Sequence, residues 1–102
     1  MNKKLELIVL PNPRKRKEFI QSLDNLTDDL KKYCTSLMIN ESKDSFKIHI
    51  LAQWETEDQM REALRSEEFR ILSGAVNALC EKAVIRLNDK QRGNHISILS
   101  EL

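Results

Sequence analysis

The stretch from Phe46 to Cys80 constrains this chain more than any other. It opens with Phe46-Lys47-Ile48-His49-Ile50-Leu51-Ala52-Gln53-Trp54, an extended segment long enough to cross a sheet and stop at a tryptophan. Thr56 follows, with Gln59 three residues on. That spacing predicts a capping box, in which each side chain satisfies a backbone N–H at the start of a helix. Met60, Ala63 and Leu64 give this helix its apolar face, and Ser66 with Glu67 and Glu68 starts another. Phe69, Leu72, Val76 and Leu79 form the stripe of the second helix. A strand followed by a helix in two pieces must bury one face of each against something else.

The rest of the chain supplies the partners. Leu5 to Leu10 reads as a first strand, apolar on both faces and so expected near the centre of a sheet. Pro11-Asn12-Pro13 ends it, and Asn12 is placed to cap a helix with Pro13 at its first position. That helix is predicted from about Pro13 to Tyr33, because Phe19, Leu23, Leu26, Leu30 and Tyr33 repeat at helical spacing. Thr35 to Asn40 reads as a second strand, paired in a hairpin with the strand that starts at Phe46. Ala83 to Leu87 reads as a fourth strand, Asn88 to Asn94 as a polar turn, and His95 to Leu102 as a tail. The order is βαββαβ, which predicts an α+β, ferredoxin-like split βαβ with a four-stranded antiparallel sheet and its helices on one face. The first and third strands are expected at its centre.

Composition sets limits on function. The 102 residues are expected to form one domain, with a core over 4–88 and a C-terminal tail over 89–102. A formal charge of +1 gives no global field toward nucleic acid. Two glycines argue against a glycine-lined phosphate loop. No apolar run approaches the ~20 residues of a membrane helix, and the start of the chain does not read as a signal peptide. These points lead to an expectation of a cytoplasmic protein, with Cys34 and Cys80 as free thiols. His49 and His95 lie far apart, and the cysteines lack metal-ligand spacing, so no metal site is expected. Arg14-Lys15-Arg16-Lys17 stands at the start of the first helix, where it opposes the helix dipole. Its plain reading is a solvated face.

Strand alternation has a further consequence. Ile8 and Leu10 point away from Leu5, Leu7 and Val9, while His49, Leu51 and Gln53 point away from Ile48, Ile50 and Trp54. Helices on one side leave the other side too apolar to face water. A homodimer through sheet faces is therefore expected.

Lys17-Glu18-Phe19-Ile20, the strand ending in Trp54-Glu55-Thr56, and Ala63-Leu64-Arg65-Ser66-Glu67-Glu68-Phe69 together resemble the antibiotic-biosynthesis-monooxygenase (ABM) domain. This family lies within the dimeric α+β barrel proteins, and the resemblance covers about residues 4–88. It implies a cavity between helices and sheet in each subunit, and either cofactor-free oxygenation of quinol-like aromatics or haem degradation. The haem-degrading branch uses an asparagine, a tryptophan and a histidine at positions that fall near Leu7, at Ala63 and at Ser73, so its functional groups are absent here. The resemblance thus implies a cofactor-independent monooxygenase of a small aromatic substrate, or a non-catalytic dimer of the same fold that binds a small apolar ligand.

The residue types allow a candidate set for such chemistry. His49 is the one histidine in a predicted strand, and a neutral imidazole can deprotonate a phenol. It is equally suited to ordinary hydrogen bonds at a dimer interface. Trp54 can stack on an aromatic ligand or anchor the strand end. Phe69 and Met60 are stripe residues that line a cavity if one exists. Tyr33 offers a hydroxyl, and Arg86 can meet an anionic group or reach solvent.

Overall fold

The computed structural model describes residues 3–88 and 90–93. The strands are β1 (Lys3–Pro11), β2 (Ser36–Glu41), β3 (Ile48–Trp54), β4 (Cys80–Leu87) and β5 (Lys90–Gly93). They form one antiparallel sheet in the order β2-β3-β1-β4-β5. The helices are α1 (Arg16–Lys31), α2 (Glu57–Leu64) and α3 (Glu67–Leu79). This is the ferredoxin-like α+β fold, with β1 and β3 inside the sheet as their two-sided apolar content requires.

Local chemistry explains the boundaries. The Asn12 side chain accepts a hydrogen bond from the Arg14 amide at 3.0 Å and starts a short 3-10 turn, Pro13–Lys15. α1 therefore begins three residues later than periodicity suggests. Its buried residues are Phe19, Leu23, Leu26 and Leu30. The capping box of α2 is present: Thr56 Oγ1 accepts from the Gln59 amide at 3.2 Å, and Gln59 Oε1 accepts from the Thr56 amide at 3.3 Å. Ser66 Oγ caps α3 by accepting from the Phe69 amide at 3.3 Å.

Three segments differ from the sequence reading. β3 starts at Ile48 rather than Phe46, because Phe46 has a φ of 60° and belongs to the turn before it. That turn is closed by the Ser42 amide donating to the Lys47 carbonyl at 2.8 Å. β4 starts at Cys80, directly from the end of α3, so no loop separates them. Part of the expected polar turn is instead β5, a short fifth strand paired with β4. The expected tail over His95–Leu102 lies outside the described residues.

The core lies between the helices and one face of the sheet. Leu5, Leu7 and Val9 of β1, Ile48, Ile50, Ala52 and Trp54 of β3, and Ala83, Ile85 and Leu87 of β4 meet the buried stripes of the helices. Fully burying one such large side chain stabilises the fold by about 1.5–3 kcal/mol. The opposite face carries Ile8, Leu10, Leu51 and Val84, all partly exposed, and Met38, which is 51% exposed. Among the described residues no helix covers that side. No helix among the described residues is long and apolar enough to cross a membrane.

Candidate functional site

β3 alternation decides where the candidate residues go. Trp54 points into the helix–sheet core and is 1% exposed; Met60 and Phe69 are 3% and 2% exposed beside it. The Trp54 and Phe69 rings lie 6.1 Å apart at 50°, a tilted aromatic pair. Trp54 Nε1 donates to the Tyr33 carbonyl at 2.7 Å, tying the end of β3 to the chain leaving α1. These three large side chains fill the space between helices and sheet. Where the resemblance implies a cavity between helices and sheet, this region has a cleft at the helix ends.

That cleft has a volume of about 380 Å³ and is lined by Tyr33, Cys34, Thr35, Trp54, Gln59 and Glu62, with Lys32 beside them. Tyr33 reaches it because α1 ends at Lys31 and the chain turns there, with the Tyr33 amide donating to the Leu30 carbonyl at 3.1 Å. A hydrogen bond to Glu68, and then the charge of that carboxylate, hold the Tyr33 phenol above its ordinary pKa. Tyr33 is thus a protonated donor at neutral pH. Glu68 Oε2 is buried, with no hydrogen-bond partner of good geometry. Burial pushes the Cys34 thiol up to about 11. The thiolate needed for nucleophilic attack is scarce there at neutral pH. Cys80, pushed up to about 12 by the same cause, is equally inert.

His49 and Arg86 stand elsewhere. His49 is exposed on the sheet face away from the helices, with Asn40 and Ile8 as its cross-strand neighbours. Arg86 lies on that same face, and its Nη1 is 3.4 Å from Glu6 Oε1 on the adjacent strand. The pair is about half exposed and worth little in stability. The candidate set thus separates: Trp54, Tyr33, Met60 and Phe69 lie on the helix side, and His49 and Arg86 on the open side. Gln59 and Glu62 were missed as cleft residues. They lie on the polar side of an amphipathic helix, and no spacing rule distinguishes a cleft rim from plain solvent. Among the described residues, no three His, Cys, Asp or Glu side chains are grouped to hold a metal ion.

With strand order, helix placement and cleft in hand, the molecule falls into the class of ferredoxin-like α+β folds with a split second helix. Solved structures narrow this to the ABM-domain fold. Rv0793 from Mycobacterium tuberculosis superposes with a TM-score of 0.78 at 16% identity, covering 85% of this chain and 92% of that one. A structure named antibiotic biosynthesis monooxygenase gives 0.74 at 13% identity, covering 83% and 94%. A Caulobacter crescentus protein bearing the same family name gives 0.75 at 17% identity, covering 86% and 88%. At such identities the likeness is one of fold. No protein-family model matches the sequence, and no curated protein matches it significantly.

Proposed function

We propose that this chain is an ABM-type monooxygenase that oxidises a small aromatic, quinol-like molecule with dioxygen and without a bound metal or flavin. The observation that carries this reading is the cleft of about 380 Å³ with Trp54 and Tyr33 in its lining. Its size is at the lower end of the ~300–1,000 Å³ of small-ligand sites. The names carried by neighbours of the same fold support the reading.

The chemistry asks three things of the protein. An aromatic ring needs apolar contact, and Trp54 and Tyr33 are the aromatic members of the cleft lining. The ring hydroxyl needs a polar partner: the Tyr33 O–H is directed to Glu68, and its oxygen can accept from the substrate hydroxyl. A proton must leave the ring, because the ionised, electron-rich form is the one that reacts with dioxygen. Since His49 stands on the other sheet face, this reading gives that proton to Glu62 in the cleft. In balanced form, a hydroquinone and one dioxygen become a hydroxyquinone and one water. The substrate supplies all four electrons, one oxygen atom stays on the ring, and the other leaves with both hydrogens.

The test is dioxygen uptake with a panel of hydroquinones and anthrone-like ring systems. The expected result is saturable uptake above spontaneous autoxidation. Tyr33→Phe should lower kcat/KM by roughly tenfold, the scale of one hydrogen bond, and Glu62→Gln should lower kcat. His49→Ala should leave turnover intact. Uptake no faster than autoxidation across the panel would overturn the reading, as would full activity in both cleft variants.

One observation favours a second reading, a non-catalytic protein that binds a small apolar ligand. Trp54, Met60 and Phe69 occupy the interior in which the resemblance implies a substrate. Saturable ligand binding without dioxygen uptake would decide for it. In both readings we infer a homodimer through the open sheet face, since Ile8, Leu10, Leu51, Val84 and Met38 form an apolar surface there.

A further inference from the structure

The corner where β1 runs into α1 holds a second cavity, at the other end of β3 from the Trp54 cleft. Its volume is about 430 Å³, and its lining includes Leu10, Pro11, Pro13 and Phe46, with Arg16 and Glu81 as its charged members. A hollow of about 350 Å³ shares Arg16 and Phe46 and is otherwise lined by Glu41, Ser42 and Lys43. Arg16 and Phe46 are therefore common to an apolar chamber and a polar one.

Phe46 sits in the left-handed region, with a φ of 60°. A bulky L-residue rarely adopts it, and such strain persists only where surrounding contacts over-determine the backbone. Here they do. The Phe46 amide donates to the Ser42 carbonyl at 3.2 Å. Arg16 Nη1 donates to the Phe46 carbonyl at 2.8 Å, and the guanidinium carbon lies 5.8 Å from the ring centroid. Arg16 Nη2 also pairs with the Glu41 carboxylate. The outcome of this bracing is a phenylalanine held 62% exposed at the cavity. A fold with no use for the corner would gain by burying that ring or replacing it with glycine.

Charge gives the occupant. A guanidinium has five N–H donors, and the contacts to Phe46 and Glu41 leave donors over. Arg14, Lys15 and Lys17 flank Arg16 at the start of α1, where four cations oppose the helix dipole. Glu18 in the first turn and Glu41, paired with Arg16, offset part of that opposition, and an anion at Arg16 would offset more of it. We propose that this corner binds a small amphipathic anion, with its aromatic body in the chamber of Leu10, Pro13 and Phe46 and its carboxylate-like group on Arg16. The site is separate from the Trp54 cleft and does not depend on the oxygenase reading.

The probe is anilinonaphthalene sulfonate, an aromatic anion, titrated by fluorescence against the full chain. Its uncharged analogue, phenylnaphthylamine, is the control. The anion should bind saturably, with one site per chain, and more tightly than the analogue. Chemical shifts should move at Arg16 and Phe46. Arg16→Gln should weaken the anion about tenfold, the scale of one charge-assisted contact, and leave the analogue nearly unchanged. Because that variant can loosen the 42–47 turn, Leu10→Trp is the second. It fills the chamber from β1 and should weaken both probes. Equal affinity for anion and analogue would overturn the proposal. So would undiminished anion binding in both variants, or shifts confined to Ile8, Met38 and Leu51 on the open face.

Discussion

Replacing Trp54 by phenylalanine tests how the helix ends are held to the sheet. The indole is 1% exposed, and its N–H bonds the Tyr33 carbonyl at 2.7 Å. Phenylalanine cannot make that bond, whose loss costs about 1 kcal/mol. The smaller ring also leaves two carbons' worth of space beside Phe69, worth about 2 kcal/mol at ~0.8 kcal/mol per buried carbon plus a cavity contribution. The sum is about 3 kcal/mol, a large part of the ~5–15 kcal/mol of an ordinary domain. For a chain of this size it corresponds to a Tm lower by about 15 °C. Urea denaturation followed by circular dichroism is the suitable assay, because the variant removes the sole tryptophan and with it the fluorescence signal. A midpoint shift equivalent to less than about 1 kcal/mol would refute the reasoning. It would mean that the end of α1 is held by other contacts.

Three further outcomes are expected. Thr56→Ala breaks the capping box of α2 and should destabilise by about 1 kcal/mol in the same urea assay; a loss near zero would mean that water replaces the cap. The thiols of Cys34 and Cys80 are held up to about 11 and about 12 by burial, whereas an unfolded cysteine ionises near ~8.5. The folded state thus binds more protons than the unfolded one above that pH, so Tm should be flat below it, fall from there up to 11 and 12, and level off beyond. A double Cys→Ala variant with an identical alkaline decline would show that the thiols are not responsible. Met38→Lys places a charge on the open sheet face and should convert a dimer to a monomer in sedimentation with unchanged circular dichroism; a parent protein that is already monomeric would sink the dimer.

Periodicity and capping chemistry carry most of the fold. Phe19 to Leu30, the Thr56–Gln59 box and the Ser66 cap act locally, and each is found where spacing puts it. Phe46 is different. By composition it extends β3, but Arg16, thirty positions earlier in the chain, holds its backbone in a turn. A contact of that range leaves no local pattern. β5 was hidden for a related reason: Lys90-Gln91-Arg92-Gly93 is short and has no apolar residue, so no alternation marks it in the sequence. Strand parity did separate His49 from Trp54 in the sequence. What it could not give was the filled interior, which depends on how three side chains from three elements share one volume.

The position of β1 has a consequence for how the protein is made. This strand is synthesised before its neighbours, yet it lies between β3 and β4 and pairs with both. Its apolar residues leave the ribosome early and wait for β4, the later of the two, before both edges are closed. During that interval the nascent chain displays an unpaired hydrophobic strand with a free edge, the form most prone to association with other chains. Helix α1 can form meanwhile from local contacts alone, and with it an apolar stripe that lacks a sheet to cover. A chain that stops before residue 80 would keep that exposure permanently. Truncated products of this protein are accordingly expected to depend on chaperones far more than the full chain does.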